Sequence, residues 1–184
     1  DLGCDPRKIS IIPNGIHMER FADIGELQPN HDGFNIGAVV RVVPIKDIIT
    51  LLRAFFLAQQ ELPQAKLYIM GGVDEDPEYY QLCQQTVEML KLKDVTFTGS
   101  VNVVEYMPKM DLLMLSSISE GQPLTILESY AAHCPVIATD VGNCRELIYG
   151  PTDSFGSAGI LTHIMNLEEI AQAMIDLAQN KKLR

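Results

Sequence analysis

Six short apolar runs recur along the chain with helical patterns between them, and that alternation leaves few architectures open. The runs, at residues 34–40, 66–70, 95–98, 111–115, 135–139 and 158–162, hold four to seven residues each and are rich in Val, Ile and Leu. Near-continuous apolar character over that length suits strands buried on both faces. Helical patterns follow at about 47–60, 76–91, 103–107, 123–132, 143–148 and 167–179. Asp76-Pro77-Glu78 reads as an N-cap, a first-position proline and a first-turn acid. Asn143 is a candidate cap for its short helix, and residues 9–12 suggest a small entering strand. Polar loops are expected at 28–33 and 149–157.

Repeated strand–helix alternation requires long crossovers and hence parallel strands. The predicted fold is α/β, a Rossmann-like doubly wound parallel sheet with helices on both faces, forming one domain over residues 1–184. Ligands of such sheets bind beyond the carboxyl ends of the strands, where the strand order reverses. Arg41, Gly71, Gly99 and Ser116–Glu120 all fall at those ends.

The richest of these ends is Ser119-Glu120-Gly121-Gln122-Pro123-Leu124-Thr125-Ile126-Leu127-Glu128. Pro123 suits the first position of a helix, where its missing N–H costs nothing. Leu124 and Thr125 then present N–H groups without an intrahelical partner, which makes an anion site suited to phosphate. Glu128 lies one turn beyond Leu124 on the same face, and Glu120 stands just before the helix. A phosphate cradle flanked by two carboxylates matches a nucleotide sugar, which carries a diphosphate, a ribose diol and a sugar polyol. Arg41 and Lys46, at a strand end and a helix start, would face the same crevice. Arginine can clamp phosphate through two parallel hydrogen bonds, and lysine adds a compact charge.

Net charge is −10 over 184 residues. That balance disfavours nucleic acid and anionic membrane surfaces as partners. No apolar run reaches the length of a membrane span. The opening residues show neither the basic flank nor the apolar core of a secretory leader, and the cysteines read as those of a cytoplasmic protein. Cys4, Cys83, Cys134 and Cys144 show no metal-site spacing and read as reduced, mostly buried thiols. His17, His31, His133 and His163 form no ligand cluster. We identify no Asp-x-Asp and no other obvious metal site, and expect neither a metal nor another cofactor.

The two glutamates, with Ser-Glu-Gly-x-Pro before an apolar helix, resemble the E-x7-E motif of retaining GT-B glycosyltransferases, family 4 in particular. Ile12-Pro13-Asn14-Gly15-Ile16, Arg41-Val42-Val43-Pro44-Ile45-Lys46-Asp47, Phe97-Thr98-Gly99-Ser100-Val101 and Ala138-Thr139-Asp140-Val141-Gly142 resemble further landmarks of that family in their usual order. Asp74-Glu75-Asp76-Pro77-Glu78-Tyr79 and Cys144-Arg145-Glu146-Leu147-Ile148-Tyr149-Gly150 are most similar to the PelF-type subgroup, which makes the Pel exopolysaccharide from UDP-glucose.

The resemblance implies roles by position. Arg41 and Lys46 would bind the donor diphosphate and stabilise the departing nucleotide. Leu124 and Thr125 would add N–H contacts to phosphate, and Glu128 would accept from the ribose diol. Glu120 would hold the sugar hydroxyls, with N–H groups from Gly121 and Gln122 because Pro123 has none. Val101 would lie along the base. It also implies that the chain is the donor-binding half of a two-domain enzyme. The acceptor-binding N-terminal domain is then absent, and the isolated chain would transfer little sugar. A membrane-bound polysaccharide-synthesis complex is a possible setting.

Three positions depart from the family pattern. Val40 stands where many relatives have glycine, His133 where glycine usually ends the motif helix, and Asn143 where serine is common. They leave the exact sugar open. Rival readings fit less well. A GT-B epimerase needs groups for proton abstraction at the sugar ring, and none is evident. An NAD site needs G-x-G-x-x-G, whereas the first turn reads Ala38-Val39-Val40-Arg41-Val42-Val43. A non-catalytic scaffold of the same fold would be expected to lose Arg41, Lys46, Glu120 or Glu128, and all four are present.

Overall fold

The computed structural model describes residues 3, 5–10, 12–22, 24, 32–150 and 156–184. Within them lie strands β1 (Phe34–Val39), β2 (Ala65–Met70), β3 (Val95–Gly99), β4 (Leu112–Leu115), β5 (Val136–Thr139) and β6 (Gly159–Thr162). The helices are α1 (Ile48–Gln59), α2 (Pro77–Leu90), α3 (Val103–Tyr106), α4 (Leu124–Ala131), α5 (Cys144–Tyr149) and α6 (Leu167–Gln179). The strands form one sheet in the order β3-β2-β1-β4-β5-β6. Every pairing is parallel, with Ile36 opposite Leu67 and Leu112, and Leu113 opposite Val136.

All four residues of β4 and of β5 are buried, because helices cover both faces of the centre. Helix α1 seats Ile48, Leu51, Leu52 and Phe55 in the core and packs against α2 and α6, while α4 packs against α5. The order of the strands reverses between β1 and β4. A crevice therefore opens beyond their carboxyl ends, between Arg41 and Ser116.

Local chemistry sets the element ends. Asp76 caps α2 by accepting from Tyr79 N at 2.9 Å, with Pro77 at the first position, as its sequence predicts. His133 terminates α4 at φ 56°, in the left-handed region that costs a side chain about 1 kcal/mol. The cost is met by a paired C-terminal cap: Cys134 N donates to Ser129 O at 2.9 Å and His133 N to Tyr130 O at 3.0 Å.

Four expectations need correction. Residues 9, 10 and 12 are not in a strand, and Ile9 and Ile12 are exposed; they pair with no strand among the described residues. Pro123 is the N-cap of α4 rather than its first residue, because its ψ of 114° keeps it extended. Asn143 occupies the N-cap position of α5 without a side-chain cap, since φ −92° and ψ 13° do not aim its amide at the helix. Tyr149, expected in a loop, closes α5. Cys4, His31, Ile11 and most of the two expected loops lie outside the described residues. Cys83, Cys134 and Cys144 are free and buried, and burial pushes their thiols up to about 12, 12 and 11. No helix among the described residues is long and apolar enough to cross a membrane.

Candidate functional site

The loop after β4 is stitched to the turn before α1. Pro44–Lys46 form one 3-10 turn, and Asp47 then reverses the chain at φ 47°, a conformation a short polar side chain tolerates. Asp47 caps α1 by accepting from Thr50 N at 3.3 Å. Across the crevice, Ser116 Oγ donates to Lys46 O at 2.8 Å and Ile118 N to Ile45 O at 2.9 Å. Those two bonds bring Lys46 Nζ within 2.6 Å of Glu120 Oε1, with the side chains only 16% and 11% exposed. Ser117 Oγ donates to the same oxygen at 2.6 Å. The fold thus joins two of the predicted residues, 74 apart in sequence, in one shielded ion pair.

Glu120 and Gly121 are also held from the far side. Asn143 N donates to Gly121 O at 2.9 Å. Gly142 makes that approach possible: at φ +53° a Cβ would stand 2.1 Å from Glu120 O.

Arg41 and Lys46 share a cleft of about 370 Å³ with Gly71, Gly72, Ser100 and Val101. Its floor continues the sheet ladder: Val40 N donates to Met70 O, Val42 N to Gly72 O and Gly71 N to Gly99 O, each at 2.9 Å. A Cβ on Gly71 would stand 2.0 Å from Val40 O, so glycine is required for this close approach. Val40 itself is buried in the core, and its N–H is committed to Met70. Arg41 is exposed, and its Nη1 meets Glu75 Oε1 at 2.5 Å and Oε2 at 2.6 Å.

Helix α4 presents its open end beside Glu120. Leu124 and Thr125 head it, where N–H groups have no intrahelical acceptor; Ile126 N is the first to turn inward, onto Pro123 O at 3.3 Å. Gln122 does something the sequence does not suggest. Its amide brackets the backbone of Asn14, accepting from Asn14 N at 2.7 Å and donating to Asn14 O at 3.3 Å. The segment through residue 14 is thereby held against the mouth of α4. Glu128 is half-buried, and burial pushes its carboxyl above the usual carboxylate range, while Arg20 nearby pulls it back.

Sequence reasoning gave no role to Asn14, Arg20, Glu75 or Thr139, and it placed Ser117 at a strand end without a partner. Most act on partners far along the chain, and no local pattern marks them. It also passes over Asp74-Glu75-Asp76, which does have the Asp-x-Asp spacing. Asp76 is committed to capping α2, and Glu75 to Arg41. A larger cavity, about 480 Å³, opens at the other end of the sheet beside Pro135 and Gly159 and contains none of the predicted residues.

Comparison with known proteins places these features in a wider set. The family model described as "Glycosyl transferases group 1" matches residues 33–180. The chain is 24% identical over its whole length to the Escherichia coli UDP-Gal:alpha-D-GlcNAc-diphosphoundecaprenol alpha-1,3-galactosyltransferase, covering 48% of that protein. It is 28% identical to the Bacillus subtilis poly(glycerol-phosphate) alpha-glucosyltransferase over 78% of this chain and 20% of the relative. The fold matches Anabaena Alr3699/HepE in complex with UDP and glucose, with a TM-score of 0.81 over 98% of this chain and 50% of that one, at 22% identity. The chain spans about half the length, or less, of the relatives it matches.

Proposed function

The chain belongs to the group 1 glycosyl transferases, and on that premise we propose that it is the donor-binding domain of a retaining hexosyltransferase. The donor is UDP-glucose, the nearest subgroup is the PelF type, and the acceptor is a growing polysaccharide or other glycan. The whole enzyme adds an acceptor-binding N-terminal domain and works in the cytoplasm, where a membrane-bound synthesis complex can recruit it. The observation that carries this reading is the shielded Lys46–Glu120 pair beside the open end of α4. The glucosyltransferase name of the Bacillus subtilis relative and the UDP and glucose in the Anabaena complex support the donor.

In this reading the diphosphate lies between Arg41, Lys46 and the N–H groups of Leu124 and Thr125. As the bond from sugar to phosphate breaks, negative charge grows on the departing phosphate oxygen and the sugar becomes oxocarbenium-like. The shielded Lys46 ammonium and the α4 N–H dipoles stabilise that charge with little reorganisation, Arg41 joins them from the rim, and losing one such group typically costs about 3 kcal/mol in the barrier. Lys46 has three donors, and Glu120 engages one. Glu128 offers two oxygens to the ribose diol, and Glu120 takes a sugar hydroxyl. Arg41, Lys46 and the α4 N–H groups supply the charge stabilisation themselves, so we assign no metal or other cofactor.

Calorimetric titration of the chain with UDP, ADP and GDP, repeated on Arg41→Ala, tests the site. UDP-selective binding that Arg41→Ala weakens about tenfold or more is expected. Selectivity for another nucleotide would discard UDP-glucose and keep the enzyme class. Titration with UDP-glucose against UDP-galactose then decides the sugar.

A further inference from the structure

Ser116 and Ser117 are neighbours with different partners. Ser116 Oγ donates to a backbone carbonyl, that of Lys46. Ser117 Oγ instead reaches the Glu120 carboxylate at 2.6 Å. An ionised carboxylate only accepts, so the hydroxyl is the donor. Its target, Oε1, is the oxygen that already receives Lys46 Nζ at 2.6 Å. Two donors fill the lone-pair directions of Oε1. Among the described residues Oε2 has no hydrogen-bond partner, and it is the oxygen left to accept from a ligand.

Ser117 is backed in turn by β5. Thr139 Oγ1 stands 2.6 Å from Ser117 O and 3.4 Å from Leu115 O, and its one proton serves the nearer carbonyl. Ser117 and Thr139 are both fully buried. Bulk water therefore does not replace either hydroxyl when it is removed. Without the Ser117 hydroxyl, the carboxylate is free to turn about its last bond and present both oxygens to Lys46.

We propose that Ser117 and Thr139 are positioning residues that hold one oxygen of Glu120 on Lys46 and reserve the other for a hydroxyl of the donor sugar. This rests on the donor-site reading above. It separates two parts of one ligand: the phosphates meet Arg41, Lys46 and the α4 N–H groups, whereas only the sugar meets the reserved oxygen. Loss of the hydroxyl should cost the sugar's share of binding and leave the nucleotide's share intact. A purely structural serine would affect both alike.

The test is calorimetric titration of the chain and its Ser117→Ala, Thr139→Val and Thr139→Ser variants with UDP and with UDP-glucose. Thermal melts check that each is folded. The unsubstituted chain should bind UDP-glucose more tightly than UDP. Ser117→Ala should weaken UDP-glucose about tenfold and leave UDP unchanged. Thr139→Val should do the same more weakly, and Thr139→Ser should restore binding. Equal losses for both ligands, or no loss for either, overturn the proposal. So does a sugar that adds nothing to binding by the unsubstituted chain, which leaves a nucleotide site standing. Failure of that chain to bind UDP at all is a different result, and it removes the donor-site reading itself. If Ser117→Ala does not fold, the two Thr139 variants decide.

Discussion

Lys46 and Arg41 stand five residues apart and line one cleft, yet the fold treats them differently. The Lys46–Glu120 side chains are 16% and 11% exposed, whereas those of Arg41 and Glu75 are 59% and 52% exposed. Lys46 is held through its backbone by Ser116, and Glu120 is held by Ser117. Arg41 is held by one solvent-facing carboxylate. A shielded pair resists screening and keeps its geometry, while an exposed pair is worth about 0–1 kcal/mol and exchanges partners readily. The difference teaches that one cation belongs to the preformed part of the site and the other to its adjustable rim.

The largest expected effect breaks the shielded half. Lys46→Ala leaves the Glu120 carboxylate nearly buried beside no cation, and urea unfolding should show a loss of about 3 kcal/mol. Adding Glu120→Gln should recover most of it. A loss under about 1 kcal/mol would put Lys46 in the same class as Arg41 and erase the contrast.

Glu128 lies between the two extremes. Its folded carboxyl is raised by burial, so its contribution to stability is greatest below 4.5 and is lost as pH rises through the raised value. At pH 7 Glu128→Gln should therefore raise Tm, by roughly 1–2 °C. The gain should vanish below about pH 4, while UDP binding weakens because an amide replaces one acceptor with a donor. An equal Tm difference at both pH values would refute the desolvation account.

The smallest effect belongs to the rim. Glu75→Gln should change stability by less than about 0.5 kcal/mol. It should also tighten UDP binding about threefold, because Arg41 no longer has an internal carboxylate to leave. Weaker UDP binding would instead make Glu75 a part of the site.

The parts of this protein that were legible in sequence are those written in neighbouring residues. Asp76-Pro77-Glu78 announces the start of α2, and the helix at 167–179 appears with both bounds as expected. Buried parallel strands are visible as apolar runs because they lack a solvent face. Ile9 and Ile12 show the limit of that signal: the same composition, paired with no strand among the described residues, stays exposed. Arg41, Lys46, Glu120 and Glu128 were legible as candidates because strand ends and helix starts concentrate charge at the crevice. Which partners they meet was not, the joining of Lys46 to Glu120 included. Gln122 reaches Asn14 across 108 residues, and Arg41 reaches Glu75 across 34.

By itself the sequence determined the α/β class, the order of elements and the charged residues at the strand ends, since each depends on local periodicity and capping. Tertiary structure alone decided that Glu120 is fastened through one oxygen and that Gln122 serves Asn14. Those outcomes depend on which loops the sheet brings together. Strand order, and the close approach that Gly71 and Gly142 permit, set those meetings across distances that no sequence window spans.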